Sequence, residues 1–387
     1  MNLRCVLASI LFAGLAGCAA PPAPLPNREG LFADAAFKPP TERIEPGDAL
    51  AMSPEMRHFA ETQIRSEVRS KGLREGLISA LYSKTQLQLD YDGAGTRNAA
   101  QAFEARRGNC MSLVLMTAAF ARYFNLPMTF NSVVTDDLWT RYRGMYFAAG
   151  HVNITLARIA TPTSGLVFGA DNLMTIDFLP SSQLKGQRSR AVDVSTVVAM
   201  YLSNRAAEAL AEGKVDDAYW WSRAAIDADS RWLAAYNNLA VVYRHKGLRD
   251  RAEAALRLVL AREPANLEAL ANLSLVLRDA GRTSEADAFA ARLAEAQPIP
   301  PYRYFDQGMA AMRVGDFLSA RDLFRKEIAR DAYVSEFHFW LAIASYGMGD
   351  LAAARAEIAK AVEHSATVGD RELYGAKQAW LNQQRAR

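Results

Sequence analysis

Residues 233–266 read LAAYNNLAVVYRHKGLRDRAEAALRLVLAREPAN, and this stretch decides the fold of the C-terminal half. Its glycine belongs to a series spaced by 34 residues: Gly213, Gly247, Gly281, Gly315 and Gly349. An alanine follows each glycine by five residues, and a small residue precedes each by seven: Ala218, Ala252, Ala286, Ala320 and Ala354, and Ala206, Ala240, Ser274, Gly308 and Ala342. Glycine ends a helix in a left-handed turn, and small residues let paired helices cross closely. The period predicts an array of helix pairs.

This pattern resembles tetratricopeptide repeats, which implies an all-α solenoid that binds a protein or peptide partner. The first unit has Arg205 where a large apolar residue is usual, and the fourth has Gln307 there, so we expect one of them to pack loosely. A final helix from Leu373 to Leu381 would cap the solenoid. The repeat domain is predicted over residues 196–387, with units at 199–232, 233–266, 267–300, 301–334 and 335–368.

Two aromatic runs stand out within the repeats. They are Tyr219-Trp220-Trp221 and Phe337-His338-Phe339-Trp340. Most such side chains are expected in the solenoid core, and surplus ones on the concave face would grip a peptide.

The first 18 residues have the features of a lipoprotein signal peptide. Arg4 precedes an apolar run that is too short to span a bilayer, and Leu15-Ala16-Gly17-Cys18 resembles a bacterial lipobox. The resemblance implies a lipid on Cys18 that anchors the protein to a membrane. With Ala19 next to it, we expect the periplasmic face of the outer membrane in a Gram-negative cell envelope. Residues 19–45, rich in Pro and Ala, are predicted to form an extended tether.

Composition narrows the class of protein. Of 387 residues, 50% are hydrophobic and 22% charged, and the net charge is only +3, so neither disorder nor nucleic-acid binding is indicated. The length fits two domains. One cysteine and two histidines in the N-terminal domain give no metal-ligand cluster, and no phosphate-binding loop occurs, so we expect no metal and no cofactor.

An α+β domain is predicted over residues 46–195. Apolar residues recur at helical spacing from Pro54 to Tyr82, Asn98 to Ala105 and Cys110 to Tyr123. Three later stretches predict strands, and helices followed by strands favour an antiparallel sheet packed on helices. These stretches are Met128 to Val134, Gly150 to Leu156 and Leu173 to Leu179.

Arg107-Gly108-Asn109-Cys110 begins a predicted helix that ends before Asn125-Leu126-Pro127. Together with Gly150-His151-Val152 and Ile176-Asp177-Phe178, this order resembles the transglutaminase-like superfamily over residues 95–182. The resemblance implies a papain-like set in which Cys110 is the nucleophile, His151 the base and Asp177 the group that orients the imidazole. It departs from the family in lacking an aromatic residue at Val152 and a tryptophan before Asp177.

The residues themselves support the same roles. A helix N-terminus favours a thiolate, and an imidazolium beside it adds to that effect. Backbone N–H groups near Cys110 would form half of an oxyanion hole. Gln101 and Asn109 are candidates for the second donor. Because Cys5 leaves with the signal peptide and Cys18 carries lipid, Cys110 is the only free thiol of the mature chain.

Each assignment has a simpler alternative. Cys110 could be a small buried residue that packs a helix, since free cysteine is often buried. His58 is the other histidine of this domain, but it lies on an amphipathic helix and is expected in solvent. Asp171 is the other acid considered, and it lies in a predicted turn.

The sequence therefore predicts an enzyme that acts on amide bonds through a thioester, as a cysteine protease, amidase or acyl transferase. The alternative is a non-catalytic scaffold of an envelope complex that uses its repeats for protein binding.

Overall fold

A computed structural model describes residues 30–83, 87, 89–134, 139–142, 145–148, 151–158, 172–178 and 188–384. The predicted signal peptide, Cys18 and the first part of the predicted tether lie outside these ranges, as does Asp171. The described chain forms an α+β part followed by an array of helix pairs.

The α+β part is built around one buried helix. Its helices are α1 (Pro54–Phe59), α2 (Arg65–Lys71), α3 (Leu73–Tyr82), α4 (Ala99–Ala105) and α5 (Cys110–Tyr123), with a π-helical turn between α1 and α2. In α5, Met111 to Ala121 are all buried, because apolar side chains occupy every face of this segment. Such a helix lies in the core. Helix α5 therefore fixes Cys110, its first residue, relative to the rest of the domain.

An antiparallel sheet carries the other predicted site residues. Its strand order is β7-β6-β3-β8, with β3 at Met128–Val134, β6 at His151–Ala157, β7 at Leu173–Ile176 and β8 at Arg188–Val192. Strands β1 (Asp90–Tyr91) and β2 (Arg107–Gly108) pair in parallel, and β4 (Trp139–Tyr142) pairs with β5 (Met145–Ala148). The third predicted strand ends early, at Ile176, so Asp177 follows the strand and does not lie within it.

The repeat array consists of helices that alternate with tight turns. Each of the five periodic glycines has a φ between 77° and 80°, which confirms the predicted left-handed turns. The helices are α6 (Val194–Ala211), α7 (Val215–Ala228), α8 (Leu233–His245), α9 (Arg249–Arg262), α10 (Leu267–Asp279), α11 (Thr283–Ala296), α12 (Arg303–Arg313), α13 (Phe317–Arg330), α14 (Ser335–Gly347), α15 (Leu351–Glu363) and α16 (Val368–Gln383). The last helix is longer than predicted because Thr367 caps it at an earlier residue.

The hydrophobic core is continuous from the α+β part into the first three repeats. One cluster extends from Phe37 to Ala286, whereas the fourth and fifth repeats hold two smaller clusters. Helix α11 buries only Ala286, and Gln307 on α12 is exposed. The looser packing therefore falls where the second helix of the third repeat meets the fourth repeat, in which the polar Gln307 replaces the usual apolar residue.

Residues 30–42 of the predicted tether lie against the first two repeats. The Phe37 ring stacks on Tyr219 with centroids 3.9 Å apart, and it is buried. The indole N–H of Trp220 donates to the carbonyl of Lys38, and Thr41 donates to Asp217. This segment docks despite its prolines because a buried aromatic ring stabilises it by about 2 kcal/mol. The first aromatic run thus holds a segment of its own chain.

Candidate functional site

Cys110 is the first residue of α5, and polar side chains fix the start of that helix. Asn109 is the N-cap: its Oδ1 accepts the backbone N–H of Ser112 at 2.9 Å and the Ser112 hydroxyl at 2.8 Å. The Cys110 side chain is a free thiol and is partly exposed. The thiol therefore stands at the positive end of a rigid helix dipole, where a reagent can reach it.

His151 and Asp177 come together because their strands are neighbours. Strand β6 pairs with β7, so Ile154 faces Ile176, and the chain beyond β7 returns towards the start of β6. The Nε2 atom of His151 is 2.7 Å from Oδ1 of Asp177. The imidazole is 3% exposed and the carboxylate 9% exposed. The charge of the carboxylate is thus shielded from water and directed at one ring nitrogen.

The thiol of Cys110 interacts with the same imidazole. Burial opposes protonation of His151, but its hydrogen bonds to Asp177 and Cys110, and the charges of those groups, raise its pKa to about 9. Since Nε2 faces Asp177, Nδ1 is the nitrogen left to face the thiol. The structure thus brings together the three residues that the sequence predicts as nucleophile, base and orienting acid.

A row of polar side chains continues from Asp177 across the sheet. The amide of Asn153 donates to Oδ2 of Asp177 at 2.9 Å, and the amide of Asn131 donates to Oδ1 of Asn153 at 2.9 Å. Both carboxylate oxygens of Asp177 are therefore held by side chains of β6. Sequence reasoning missed Asn153, although it stands two residues after His151 and so shares its strand face.

Tyr91 is a second residue near Cys110 that sequence reasoning missed. Strand β1 pairs with β2 so that Tyr91 lies opposite Gly108, two residues before Cys110. Burial raises the pKa of the Tyr91 phenol above its usual value, and the nearby Cys110 and Asp177 charges add to this, while the backbone N–H of Cys110 opposes it. The phenol is therefore held in its protonated form beside the thiol. A two-residue strand leaves no periodic signal in the sequence.

Gln101 and Asn109, the two candidate oxyanion donors, both serve as helix caps. Oε1 of Gln101 accepts the Asn98 backbone N–H at 3.1 Å in a capping box at the start of α4, and the Gln101 side chain is exposed. It lines a cleft of about 760 Å³ together with Phe59 and Phe103. Neither Cys110 nor His151 lines that cleft. The amide of Asn109 donates to Thr96 Oγ1 at 2.9 Å.

The remaining candidates lie apart from this cluster. His58 is exposed on α1, as its amphipathic helix predicts. Among the residues that the structure describes, no three His, Cys, Asp or Glu side chains are grouped to hold a metal ion. Within the same ranges, every helix is too short or too polar to cross a bilayer.

Comparison with known proteins identifies the repeats. Residues 233–266 match the family model of the tetratricopeptide repeat. No curated protein matches this chain. Similar solved structures include TTC0263, a thermophilic TPR protein in Thermus thermophilus, at 20% identity over 46% of this chain and 97% of that chain, with a TM-score of 0.29.

Two further similar structures are MamA MSR-1 and YrrB. MamA MSR-1 is 23% identical over 43% of this chain and 95% of its own, with a TM-score of 0.24. YrrB, described as a TPR protein with an unusual peptide-binding site, is 18% identical over 46% of this chain and 92% of its own, with a TM-score of 0.25. The helical array of this chain is a solenoid of tetratricopeptide repeats, and the family match falls on its second unit.

Proposed function

We propose that Cys110, His151 and Asp177 form a cysteine-based site that acts on amide bonds. The observation that supports it is the hydrogen bond from His151 Nε2 to Asp177, which leaves the other ring nitrogen for the thiol of Cys110. The residue types and their order also agree with the transglutaminase-like resemblance.

The first step is thioester formation. The sulfur of Cys110 gives up its proton to the imidazole and attacks the carbonyl carbon of the substrate. The tetrahedral oxyanion forms at the positive end of the α5 helix dipole, which favours its negative charge. His151 then gives the proton to the leaving amine as the C–N bond breaks, and Asp177 stabilises the imidazolium in between.

The second step regenerates the thiol. Water or a second amine attacks the thioester carbonyl, His151 accepts its proton, and the C–S bond breaks. Water gives a protease or amidase reaction, and an amine gives acyl transfer. We favour hydrolysis because bacterial members of the transglutaminase-like superfamily are commonly proteases or amidases.

Tetratricopeptide repeats bind protein or peptide partners, and we propose that this array binds the substrate or a partner protein. We further propose that a lipid on Cys18 attaches the protein to the envelope, at the periplasmic face of the outer membrane. Its lipobox-like sequence supports this location.

The test is the rate of iodoacetamide alkylation of Cys110 between pH 5 and 9, in the chain without residues 1–18 and in its His151→Ala variant. An imidazole-activated thiol reacts well at pH 6, and the variant should react roughly 30-fold more slowly there, because an ordinary thiol is almost fully protonated. His338→Ala is the matched control, since it removes a buried histidine from the fifth repeat.

The control should leave the rate of alkylation unchanged. A slow thiol with the same rate in all three proteins would reject the catalytic proposal. It would favour the scaffold alternative, in which the repeats bind a partner and the α+β part has no catalytic role.

A further inference from the structure

The loop that precedes α4 connects the site to the repeats. The backbone N–H of Thr96 donates to Oε1 of Glu208 on α6 at 2.8 Å. The backbone N–H of Gly93 donates to the carbonyl of Ala366, between α15 and α16 at the end of the fifth repeat, at 2.7 Å. A Cβ added to Gly93 would lie 3.1 Å from that carbonyl oxygen, so the approach is close. This loop therefore contacts both the first repeat and the end of the fifth.

A chain of hydrogen bonds runs from Glu208 through Thr96 to the start of the Cys110 helix. Thr96 is 2% exposed, and its hydroxyl oxygen accepts from the amide of Asn109, the N-cap of the Cys110 helix. The next backbone N–H, of Arg97, donates to the Ser112 hydroxyl at 2.8 Å. Ser112 is fully buried and bonded to Asn109. Glu208 thus binds a closed network that surrounds the first turn of α5.

Arg205 explains how Glu208 is held. Its Nη1 is 3.3 Å from Oε2 of Glu208, and its Nη2 is 2.8 Å from Glu42. The guanidinium also lies 5.1 Å from the ring centre of Trp221. Burial raises the pKa of Glu208, and the hydrogen bond from Thr96 and the charge of Arg205 offset part of that effect. A leucine at position 205 would fit the repeat pattern but would not bind a carboxylate.

We propose that Glu208, held by Arg205, is a positioning residue for Cys110, so that the first repeat is a structural part of the site. This inference rests on the proposed function. It accounts for the departure of the first repeat from its family pattern: the arginine at position 205 holds the Glu208 side chain where Oε1 accepts the Thr96 N–H.

The experiment compares Glu208→Ala, which removes the acceptor of the Thr96 N–H, and Arg205→Leu with the parent chain by the pH profile of Cys110 alkylation. Both variants should react about tenfold more slowly at pH 6, because a small displacement of a reacting group has an effect of this order or larger. Arg205→Leu restores the usual apolar residue but leaves Glu208 and Glu42 without their cation, so the rates are compared at a temperature where circular dichroism shows every variant folded. If Glu208 and Arg205 had only a structural role, their substitution would lower the unfolding midpoint and leave the pH profile of Cys110 alkylation unchanged in the folded protein.

Glu212→Ala is the matched control, because its carboxylate lies one helical turn along and pairs with the exposed Lys214. It should alkylate at the parent rate. If the parent thiol depends on His151 but both test variants match the parent profile, the positioning role is wrong and the proposed function stands. If the parent thiol is slow and independent of His151, the proposed function fails first.

Discussion

Two regions of this molecule bury a histidine beside a carboxylate. In the α+β part, His151 Nε2 lies 2.7 Å from Asp177, and in the fifth repeat, His338 Nδ1 lies 2.6 Å from Glu357. Both imidazoles are 3% exposed. Burial raises the pKa of Glu357, but its hydrogen bonds to His338 and Lys360 outweigh this and hold the pKa below its usual value.

The difference lies in the second ring nitrogen. His338 Nε2 is 2.9 Å from the carbonyl oxygen of Ala332, so the protein occupies both nitrogens and the pair ties two parts of the repeat together. Asp177 holds Nε2 of His151, and a hydrogen bond to Cys110 also raises the pKa of this imidazole, so Nδ1 is the nitrogen left for the thiol. We therefore expect the group that the remaining nitrogen meets to decide whether a buried histidine–carboxylate pair is structural or reactive.

The largest effect that tests this comparison is on stability in the fifth repeat. His338→Ala should lower the free energy of unfolding by about 3 kcal/mol, because it leaves a buried carboxylate and a carbonyl without their partner. Urea denaturation measures this. The alkylation rate of Cys110 should not change, and a fall like that of His151→Ala would show that the two pairs are not independent.

The pH dependence of the free energy of unfolding tests the His151–Asp177 pair. The folded pKa of His151, about 9, lies above its unfolded value, so its contribution is complete below pH 6.5 and is lost as pH rises towards 9. We expect this to remove about 2 kcal/mol over that window. Urea denaturation from pH 6 to 9.5 measures it, and His151→Gln serves as the control. The parent and the control should differ in slope, and equal slopes would contradict the raised pKa.

Periodicity and motif order predicted the repeats and three site residues because both are readable along the chain. The glycine spacing predicted turns whose φ values the structure confirms, and Cys110, His151 and Asp177 lie together as expected. Whether they catalyse a reaction stays a prediction.

Contacts between distant segments could not be predicted in the same way. Glu208 meets Thr96 across 112 residues, and Phe37 meets Tyr219 across the whole α+β part. The sequence shows that Arg205 departs from the apolar residue usual in the repeat. Only the structure explains the arginine, because it forms ion pairs with Glu42 and Glu208. Local sequence patterns determine the helices and strands, whereas tertiary packing determines which of their side chains come into contact.

A smaller effect on stability is expected when Oδ2 of Asp177 loses its hydrogen bond from Asn153. Asn153→Ala should cost about 1.5 kcal/mol, because Oδ2 of Asp177 and the Asn131 amide both lose a buried partner. It should also slow the alkylation of Cys110 at pH 6, since Asp177 is freer to turn away from His151. Asn131→Ala, one hydrogen bond further out, is the matched control. Equal rates for Asn153→Ala and the parent would show that Asp177 needs no such support.

The smallest effect is expected at Lys360, which bonds Glu357 in the fifth repeat as Asn153 bonds Asp177 in the α+β part. Lys360 holds the second carboxylate oxygen of Glu357 at 2.8 Å, but its side chain is 49% exposed. Exposed ion pairs contribute little, so Lys360→Ala should change the free energy of unfolding by less than about 0.5 kcal/mol. Urea denaturation of Lys360→Ala beside Asn153→Ala makes the comparison directly. If Lys360→Ala lowered the free energy of unfolding as much as Asn153→Ala, burial would not explain the difference between the Asn153–Asp177 hydrogen bond and the Lys360–Glu357 ion pair. The two histidine–carboxylate pairs would then differ only in the partner of the second ring nitrogen.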